Sequence, residues 1–484
     1  MKKSILWFLL IYTIVRIVFL PLQHTGDGWG YACEVIKGDL FSPHHILYKP
    51  LLFLIYKTLL SFHLTFNPIH IFSIVNILLG SATLLVFYNL LNHFKPYFQL
   101  NFWLTFLVAF TFGFLRYSSE NETYILPLFM SLLGTFYYFK GRFNVGIFFM
   151  TMAVLCHQIH IFWLFAFLVP QKNKPYSLFT PILSIGSLIV SYVSYAINYN
   201  INWYSLPFYD INQGLVTIKP GLMNFIMTPI SFIRTFFQLH GTIKDLCIDH
   251  PFNFIFILIS IICGFIFLIN LKNFHQLNLR LFNFFKSPKI DFRNPLFIAI
   301  LLHFGFAFYS VGNAEFMVML PFLLILWQYE RITNLSLMFI HYIGMTLLLW
   351  NFSFFVIPTA LYDNQGMQQK LNEIQKIFNE SKCSNCENLF VSDDNIPLFN
   401  FKEYLELTSV KPYDFRIISF DEYSKKTKIQ RLSAITDRMN NHSIYDRKSI
   451  STNKTQDLYK LATVFQYKTS EFPHKEVVLS EIIE

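Results

Sequence analysis

The sequence predicts an all-α polytopic membrane protein with about 11 transmembrane helices, followed by a small extracytoplasmic α/β domain. Of its 484 residues, 54% are hydrophobic and only 14% are charged, which is more apolar surface than a soluble protein of this length needs. Residues 1–359 carry 21 Lys and Arg against 11 Asp and Glu, whereas residues 360–484 carry 17 against 18. The excess of positive charge lies in the apolar part, so it indicates control of membrane topology rather than nucleic-acid binding. We therefore predict a membrane domain at 1–359 and an α/β domain at 360–484.

The membrane domain begins with an apolar run over residues 4–22, directly behind Lys2 and Lys3. The run has about the length that crosses a bilayer, and the two lysines hold the N-terminus in the cytosol. Residues 23–25 (QHT) are a poor cleavage site, so we predict a retained helix rather than a signal peptide.

Twelve apolar runs leave two topologies open, because the run at 46–62 either crosses the membrane or lies as a helix at its outer rim. If it does not cross, the cytosolic segments hold 13 Lys and Arg against two acids; if it crosses, all but the first two of these basic residues face outward. The positive-inside rule favours eleven crossings, with a cytosolic N-terminus and an extracytoplasmic C-terminus. The twelve runs are 4–22, 46–62, 68–92, 99–117, 124–140, 143–156, 159–169, 176–198, 252–271, 294–310, 315–330 and 335–357.

The runs at 143–156 and 159–169 are shorter than the roughly 20 residues that a crossing needs. Fusing them into one tilted helix would invert every later loop, so we predict a hairpin of short helices whose apex, residues 157–160, stops inside the membrane. Polar backbone at that depth survives only where it lines a cavity, which would turn His157 toward a site. Histidines bonded within a packed bundle are the alternative.

Asp27 lies in a polar, glycine-rich segment at residues 26–31, directly after the first apolar run, and we predict a loop there. The glycines leave the backbone free and let a ligand approach closely. A carboxylate at the membrane rim is a candidate for function, although a solvated loop acid is the alternative. Glu34 and Asp39, farther along the chain, are assigned to solvated surface.

Glu120 and Glu122 lie in a second outer loop, residues 118–124, which is short enough to stay close to the membrane surface. Nine of the 11 acids of the membrane domain fall on this predicted outer side. Acids from both outer loops, the Pro/His-rich residues 43–48 and the apex at 157–160 are expected to converge on one outward-facing cavity.

The order of these features resembles the GT-C class of membrane glycosyltransferases, which includes protein mannosyltransferases and the lipid A aminoarabinose transferase. The resemblance covers roughly residues 1–360, mostly as topology. The family often has an Arg-Tyr pair before a late Pro-containing helix, where this chain reads GNAEF at residues 312–316, so a donor-phosphate contact there is open. The local matches are Gly26-Asp27 with Tyr31, Pro43-His44-His45, residues 119–124 and His157.

The resemblance implies sugar transfer from a polyprenyl-phosphate or diphosphate donor to an acceptor hydroxyl on a glycan, lipid or protein at the outer face. Asp27 would be the base that takes the proton of this hydroxyl, and Glu120 or Glu122 would orient the acceptor. The lipid-phosphate leaving group gains charge in the transition state, so cationic or hydrogen-bonding side chains must meet it. The candidates for substrate binding are His44, His45, Tyr48, Lys49, His157 and Arg234.

Two roles of charged residues remain open in the sequence. Glu120 or Glu122 could hold a divalent cation together with Asp27, since hard carboxylate oxygens suit Mg²⁺ or Mn²⁺. Arg16, within the first helix, is expected to pair with a nearby acid or carbonyl rather than to contact substrate.

Two other classes of protein compete with the glycosyltransferase. A polysaccharide polymerase or a lipid-linked oligosaccharide flippase is also polytopic, but a polymerase more typically presents arginine-rich outer loops, and this chain has acids there. A secondary transporter would show inverted repeats and interrupted helices in matching halves, which the sequence lacks.

The C-terminal residues have the pattern of a small α/β domain. A helix is predicted at 367–379 and a strand at 389–392. Cys383 and Cys386 are expected to form a local disulfide, with free thiols as the alternative. The abundance of Phe, Ile and Asn is typical of an AT-rich bacterial genome, so the expected location is a bacterial inner membrane.

Overall fold

The computed structural model describes most of the chain, and the account that follows concerns only these residues. They are residues 2–168 without 65, 179–200, 221–239, 293–361 without 334 and 336, 365–380, 387–391, 396–418 without 409 and 411, 432–438, 463–467 and 476–481, with residue 291 and parts of 254–265. Several predicted features lie outside them: most of the outer loop at 199–251, most of the crossing at 252–271, the basic residues between Lys272 and Lys289, and Cys383 and Cys386.

The described chain divides into two compact units. One, which we call the membrane unit, comprises Met1–His24 and Glu34–Asp363; the other, the C-terminal unit, comprises Thr25–Cys33 and Asn364–Glu484. The sequence did not predict that a short early segment belongs with the C-terminal residues.

Helices build the described part of the membrane unit. Two helices that lie wholly within the described residues, Pro68–Phe94 and Phe179–Asn198, are long and apolar enough to cross a membrane, as expected of an integral membrane protein, while the number of crossings stays a prediction. The helices that the two units contain in this part of the chain are Lys2–Val18, Gly26–Lys37, Tyr48–Ser61, Pro68–Phe94, Phe98–Ala109, Phe112–Tyr117, Ile125–Phe139, Phe143–Cys156, Ile161–Leu168, Phe179–Asn198, Leu222–Phe236, Pro295–Tyr309, Leu320–Ile332, Leu337–Asn351 and Ile357–Leu361.

Local sequence explains where two of these helices begin. In the helix Pro68–Phe94, the side chain of Asn67 accepts a hydrogen bond from the backbone N–H of Ile69, and Pro68 occupies the first turn, where no N–H is needed. Asn294 and Pro295 repeat the same arrangement at the start of the helix Pro295–Tyr309. An Asn-Pro pair before an apolar run is thus a helix start in this chain.

Glycine allows two neighbouring helices of the membrane unit to pack closely. A Cβ atom built on Gly134 would lie 2.7 Å from the backbone oxygen of Gly146, and one built on Gly146 would lie 2.7 Å from the oxygen of Gly134. The helices Ile125–Phe139 and Phe143–Cys156 therefore approach with their backbones in contact, as small residues permit in membrane proteins.

The structure corrects one prediction and confirms another in the segments that carry candidate residues. Residues 26–31 form the start of the helix Gly26–Lys37 rather than a loop. The hydroxyl of Thr25 accepts a hydrogen bond from the N–H of Gly28 at 3.0 Å, so Thr25 caps the helix, and Asp27 adds favourable negative charge to its first turn. The predicted break after residue 156 is confirmed: the helix Phe143–Cys156 ends, His157 is extended, and a 3₁₀ turn, Gln158–His160, follows.

The C-terminal unit contains helices and a mixed sheet. The helix Gln365–Glu380 agrees with the helical pattern predicted at 367–379. A second helix, Ile396–Leu407, was not predicted. The sheet has the order β2-β1-β3-β5-β4, in which β1 pairs in parallel with β2 and β3, and β5 pairs antiparallel with β3 and β4. The strands are β1 (Glu387–Val391), β2 (Arg416–Ile418), β3 (Leu432–Arg438), β4 (Thr463–Tyr467) and β5 (Glu476–Glu481).

Candidate functional site

The loop at residues 118–124 of the membrane unit is polar and yet buried. Glu120 is 5% exposed and Glu122 is 3% exposed, and the serine, asparagine and threonine side chains beside them are covered as well. Buried carboxylates carry a high desolvation cost unless hydrogen bonds or opposite charges compensate it. The partners of this loop therefore define the candidate site.

Asn76, on the helix Pro68–Phe94, holds the backbone of this loop. Its side-chain amide donates to the carbonyl oxygens of Glu120 at 2.7 Å and Glu122 at 3.2 Å. The hydroxyl of Tyr48 accepts from the same amide at 3.3 Å and donates to the side-chain oxygen of Asn121 at 3.3 Å. Tyr48, which the sequence predicts as a substrate contact, thus supports the loop from a fully buried position.

Two arginines help to compensate the cost of burying this acidic loop. The Nε of Arg116 donates to both carboxylate oxygens of Glu120 at 3.2 Å, across one helical turn. Burial raises the pKa of Glu120, and the charge of Arg116 opposes that rise. Arg16 donates to the carbonyl of Leu115 at 3.0 Å and to the hydroxyl of Ser119. The expectation that Arg16 pairs with a nearby carbonyl is confirmed.

Glu315 joins this cluster from a distant part of the chain. The hydroxyl of Tyr124 donates to a carboxylate oxygen of Glu315 at 2.9 Å, and Asn313 donates to the same oxygen at 3.4 Å. The rings of Tyr117 and Tyr124 stand edge to face at 4.7 Å. The hydroxyl of Tyr117 is buried and makes no hydrogen bond to the residues that the structure describes. The late segment with the GNAEF sequence therefore brings an acid to the cluster.

The helix Leu222–Phe236 is fixed closely against that late segment. Gly312 has a φ of +70°, and a Cβ built on it would lie 2.6 Å from the backbone of Met227, so glycine is needed for both conformation and space. At the C-terminal end of the helix, the amide of Asn351 donates to the carbonyl of Phe236 at 2.7 Å. The helix that carries Arg234 is thus held near its middle and at its C-terminal end.

Arg234 makes no direct salt bridge to an acid among the described residues, although the carboxylate of Glu315 acts on it at longer range. Its Nε is buried without a hydrogen bond to any described atom, and its guanidinium lies 5.9 Å from the ring centre of Phe112. Burial lowers the pKa of Arg234 and the like charge of Arg116 lowers it further, while Tyr117 and Glu315 partly oppose this fall. Two guanidinium groups that repel each other, one with an unused donor, form an arrangement that an anion would stabilise.

Three predicted histidines meet beside this cluster. The rings of His45 and His157 are 4.7 Å apart, and the ring of Tyr124 is 4.9 Å from His157. Gln158 donates a side-chain hydrogen bond to His44. Backbone bonds from Leu47 to Leu155 and from Gln158 to His44 align the two segments. The structure therefore brings residues 43–48 together with the predicted apex.

Lys49 has a different partner from the one expected. Its ammonium group is 2.8 Å from a carboxylate oxygen of Glu34, and the lysine side chain is 1% exposed. Assigning Glu34 to solvated surface is therefore wrong: it is half-exposed and neutralises a buried lysine. Asp39 is exposed, in agreement with the sequence.

The described residues do not fit a divalent cation at Glu120. Both of its oxygens accept from Arg116, and no group of three or more His, Cys, Asp and Glu in this part of the chain is arranged to hold a metal ion. A divalent cation bound by Asp27 with either glutamate stays a prediction of the sequence, and the proposed transfer reaction does not require it.

The fold agrees with the resemblance that the sequence predicted, as the comparison with a solved structure shows. The chain is similar to ArnT from Cupriavidus metallidurans bound to undecaprenyl phosphate, with a TM-score of 0.57 and 9% sequence identity over 99% of this chain and 98% of that chain. The apo structure of ArnT gives a TM-score of 0.41 and 10% identity over the same shares. No family model matches the chain, and no curated protein matches it by sequence. The comparison shows the fold alone.

Arg116 was not predicted as a site residue, and Glu315 was predicted only as one of the acids on the outer side. Arg116 stands four residues before Glu120, a spacing that pairs opposite charges wherever the chain is helical, so this signal was available. Glu315 is 191 residues from Tyr124. Nothing in the local sequence indicates that contact.

Proposed function

We propose that the protein transfers a sugar from a polyprenyl-phosphate donor to an acceptor hydroxyl on the extracytoplasmic face of the membrane. The acceptor oxygen forms a bond to the anomeric carbon, and the bond from that carbon to the phosphate oxygen breaks. The proton of the hydroxyl passes to a carboxylate, and the lipid phosphate leaves with the electron pair of the broken bond. Similarity in fold to ArnT, which was solved with undecaprenyl phosphate, supports the donor class.

The observation that carries the proposal is the pair of guanidinium groups in the membrane unit. The buried Nε of Arg234 has no partner among described residues, while Arg116 holds Glu120 close by. A phosphate between such groups accepts charge-assisted hydrogen bonds, which strengthen as the leaving group gains charge. We assign the phosphate to Arg234 and Arg116 ahead of Lys49, because the ammonium of Lys49 is paired with Glu34.

The remaining predicted residues take roles on the sugar and the acceptor. Glu122 is assigned to orient the acceptor, since both oxygens of Glu120 accept from Arg116. His45 and His157 are assigned as hydrogen-bond donors or acceptors for the sugar or phosphate, with His44 holding the turn through Gln158. Asp27 is assigned as the base that receives the proton of the acceptor hydroxyl.

Transfer by purified protein tests the proposal. The protein, reconstituted in vesicles with bacterial envelope lipid and glycan extract, receives undecaprenyl phosphate that carries a radiolabelled hexose or pentose. We expect wild type to move label from the lipid to the extract, and Asp27→Asn to lose roughly 10²–10⁴-fold in turnover, because it removes general base catalysis.

The matched control is Asp39→Asn, which changes an exposed acid just after the same helix. It should transfer at the wild-type rate. Wild-type turnover by correctly folded Asp27→Asn would remove Asp27 as the base, and failure of wild type with every polyprenyl-phosphate sugar would contradict the donor class.

A further inference from the structure

Asn400 binds the start of the Asp27 helix, by which we mean the helix Gly26–Lys37. The side-chain amide of Asn400 donates to the carbonyl oxygen of Gly26 at 2.8 Å. The backbone oxygen of the same asparagine accepts from the thiol of Cys33 at 3.6 Å. Gly26 and Cys33 are separated by about two helical turns, so one residue of the C-terminal unit is bonded to both ends of the segment Thr25–Cys33.

Two glycines make this approach possible. A Cβ atom on Gly30 would lie 2.9 Å from the side-chain nitrogen of Asn400, and one on Gly26 would lie 3.0 Å from the Cα of Pro397. Glycine in a helix interior is less favourable than alanine by about 1 kcal/mol. Gly30 lies in the interior of the helix Gly26–Lys37, so its presence beside Asn400 indicates that the contact, and not the helix, favours glycine there.

Aromatic packing covers the same segment. The ring of Trp29 lies 5.0 Å from the ring of Phe401 and 4.8 Å from the ring of Tyr404. Trp29 is 6% exposed, so this contact buries a large apolar surface. The hydrogen bond of Asn400 therefore lies within a packed contact rather than on an open surface.

We propose that Asn400 is a positioning residue for Asp27. The carbonyl group that it binds belongs to the peptide unit joining Gly26 to Asp27, so the bond fixes the orientation of the backbone that carries the proposed base. Asp27 stands between Gly26 and Gly28, and such a segment has little stiffness of its own. The C-terminal unit thus contributes to catalysis by supplying the amide that holds this turn. The inference rests on the proposed function of Asp27.

The first test replaces the amide in the full-length protein. Asn400→Ala should lower the kcat of transfer by roughly 10²-fold while the KM for the labelled donor stays unchanged, since misplacement of a reacting group by about 1 Å costs that much. Asn388→Ala is the matched control, because Asn388 also donates its amide to a backbone carbonyl of this unit, that of Asp414 at 2.9 Å. The control should keep the wild-type kcat.

The second test disturbs the same contact from the other side. Gly30→Ala should reproduce the loss of kcat, because the new methyl group displaces Asn400 while alanine favours the helix itself. Gly366→Ala, at a helical position of the same unit where a Cβ meets nothing within 4 Å, should have no effect. Because Gly30→Ala leaves Asn400 intact and favours the helix, it tests the inference even where Asn400→Ala folds poorly.

A double substitution separates this inference from the function on which it rests. In the Asp27→Asn protein, adding Asn400→Ala should cause no further loss, because residues that act through one group are not additive. If Asp27→Asn abolishes transfer while Asn400→Ala and Gly30→Ala keep the wild-type kcat, the positioning role is wrong and the proposed function stands. If Asp27→Asn keeps full turnover, both the assignment of Asp27 as the base and the positioning role of Asn400 are wrong.

Discussion

Two segments that carry proposed catalytic acids are each held by one asparagine amide, but in different ways. Asn76 is completely buried and donates to the carbonyls of Glu120 and Glu122. Asn400 is half-buried and donates to the carbonyl of Gly26 alone, beside Asp27. The first contact lies within the membrane unit and the second within the C-terminal unit.

The two asparagines are expected to affect different properties, Asn76 the stability of the fold and Asn400 the turnover of the enzyme. A loop of buried acids needs its backbone bonds in order to remain folded, because each buried carbonyl without a donor carries a desolvation cost. The Asp27 helix has its own backbone hydrogen bonds, so the amide of Asn400 adds orientation more than stability. We therefore expect substitutions at Asn76 to act on unfolding and substitutions at Asn400 to act on kcat.

The largest effect on stability is expected for Asn76→Ala. Removing the amide leaves the buried carbonyl of Glu122 without this donor and opens a small cavity, which together cost about 3 kcal/mol. Unfolding of the purified protein by sodium dodecyl sulfate in mixed micelles measures the loss. Asn89→Ala, at an exposed position of the same helix, is the control and should change the free energy of unfolding by less than about 0.5 kcal/mol. Equal stability of the two variants would contradict the role of the Asn76 amide in holding the buried loop.

A smaller effect is expected for Gly80→Ala, which disturbs the same loop through its contact with the helix. A Cβ on Gly80 would lie 2.8 Å from the Cβ of Ser118. The overlap costs roughly 1–3 kcal/mol and alanine restores about 1 kcal/mol of helix propensity, so a net loss of about 1 kcal/mol should appear in the same unfolding assay. Gly186→Ala, where a Cβ meets nothing within 4 Å, should be neutral or stabilising. A stabilised Gly80→Ala would show that the loop yields easily, which contradicts the expectation that its buried contacts hold it in place.

Features set by local sequence could be predicted. The break at His157 follows from two short apolar runs with polar residues between them, and the pairing of Arg16 follows from the cost of an unpartnered charge within a helix bundle. The helix Gln365–Glu380 and β1 agree with their patterns. The start of the Asp27 helix was missed because three glycines in six residues suggested a loop, although Thr25 before Asp27 is a capping signal.

Contacts between distant residues could not be predicted. Asn400 is 374 residues from Gly26, and Asn351 is 115 residues from Phe236. An asparagine has no sequence signal that distinguishes a buried cross-chain donor from a surface residue. The partner of Lys49 was missed for the same reason, since Glu34 and Lys49 are 15 positions apart, and the end of one helix and the start of another lie between them.

Binding of undecaprenyl phosphate to the purified protein tests the central claim most directly, because it asks whether Arg234 meets a lipid phosphate. We expect wild type to bind undecaprenyl phosphate and not undecaprenol in a titration followed by native mass spectrometry. Arg234→Gln should weaken binding by roughly 10–100-fold, the value of one or two charge-assisted hydrogen bonds, while Arg142→Gln, at an exposed arginine, should bind as wild type does. Equal affinity of wild type and Arg234→Gln for undecaprenyl phosphate would contradict the account.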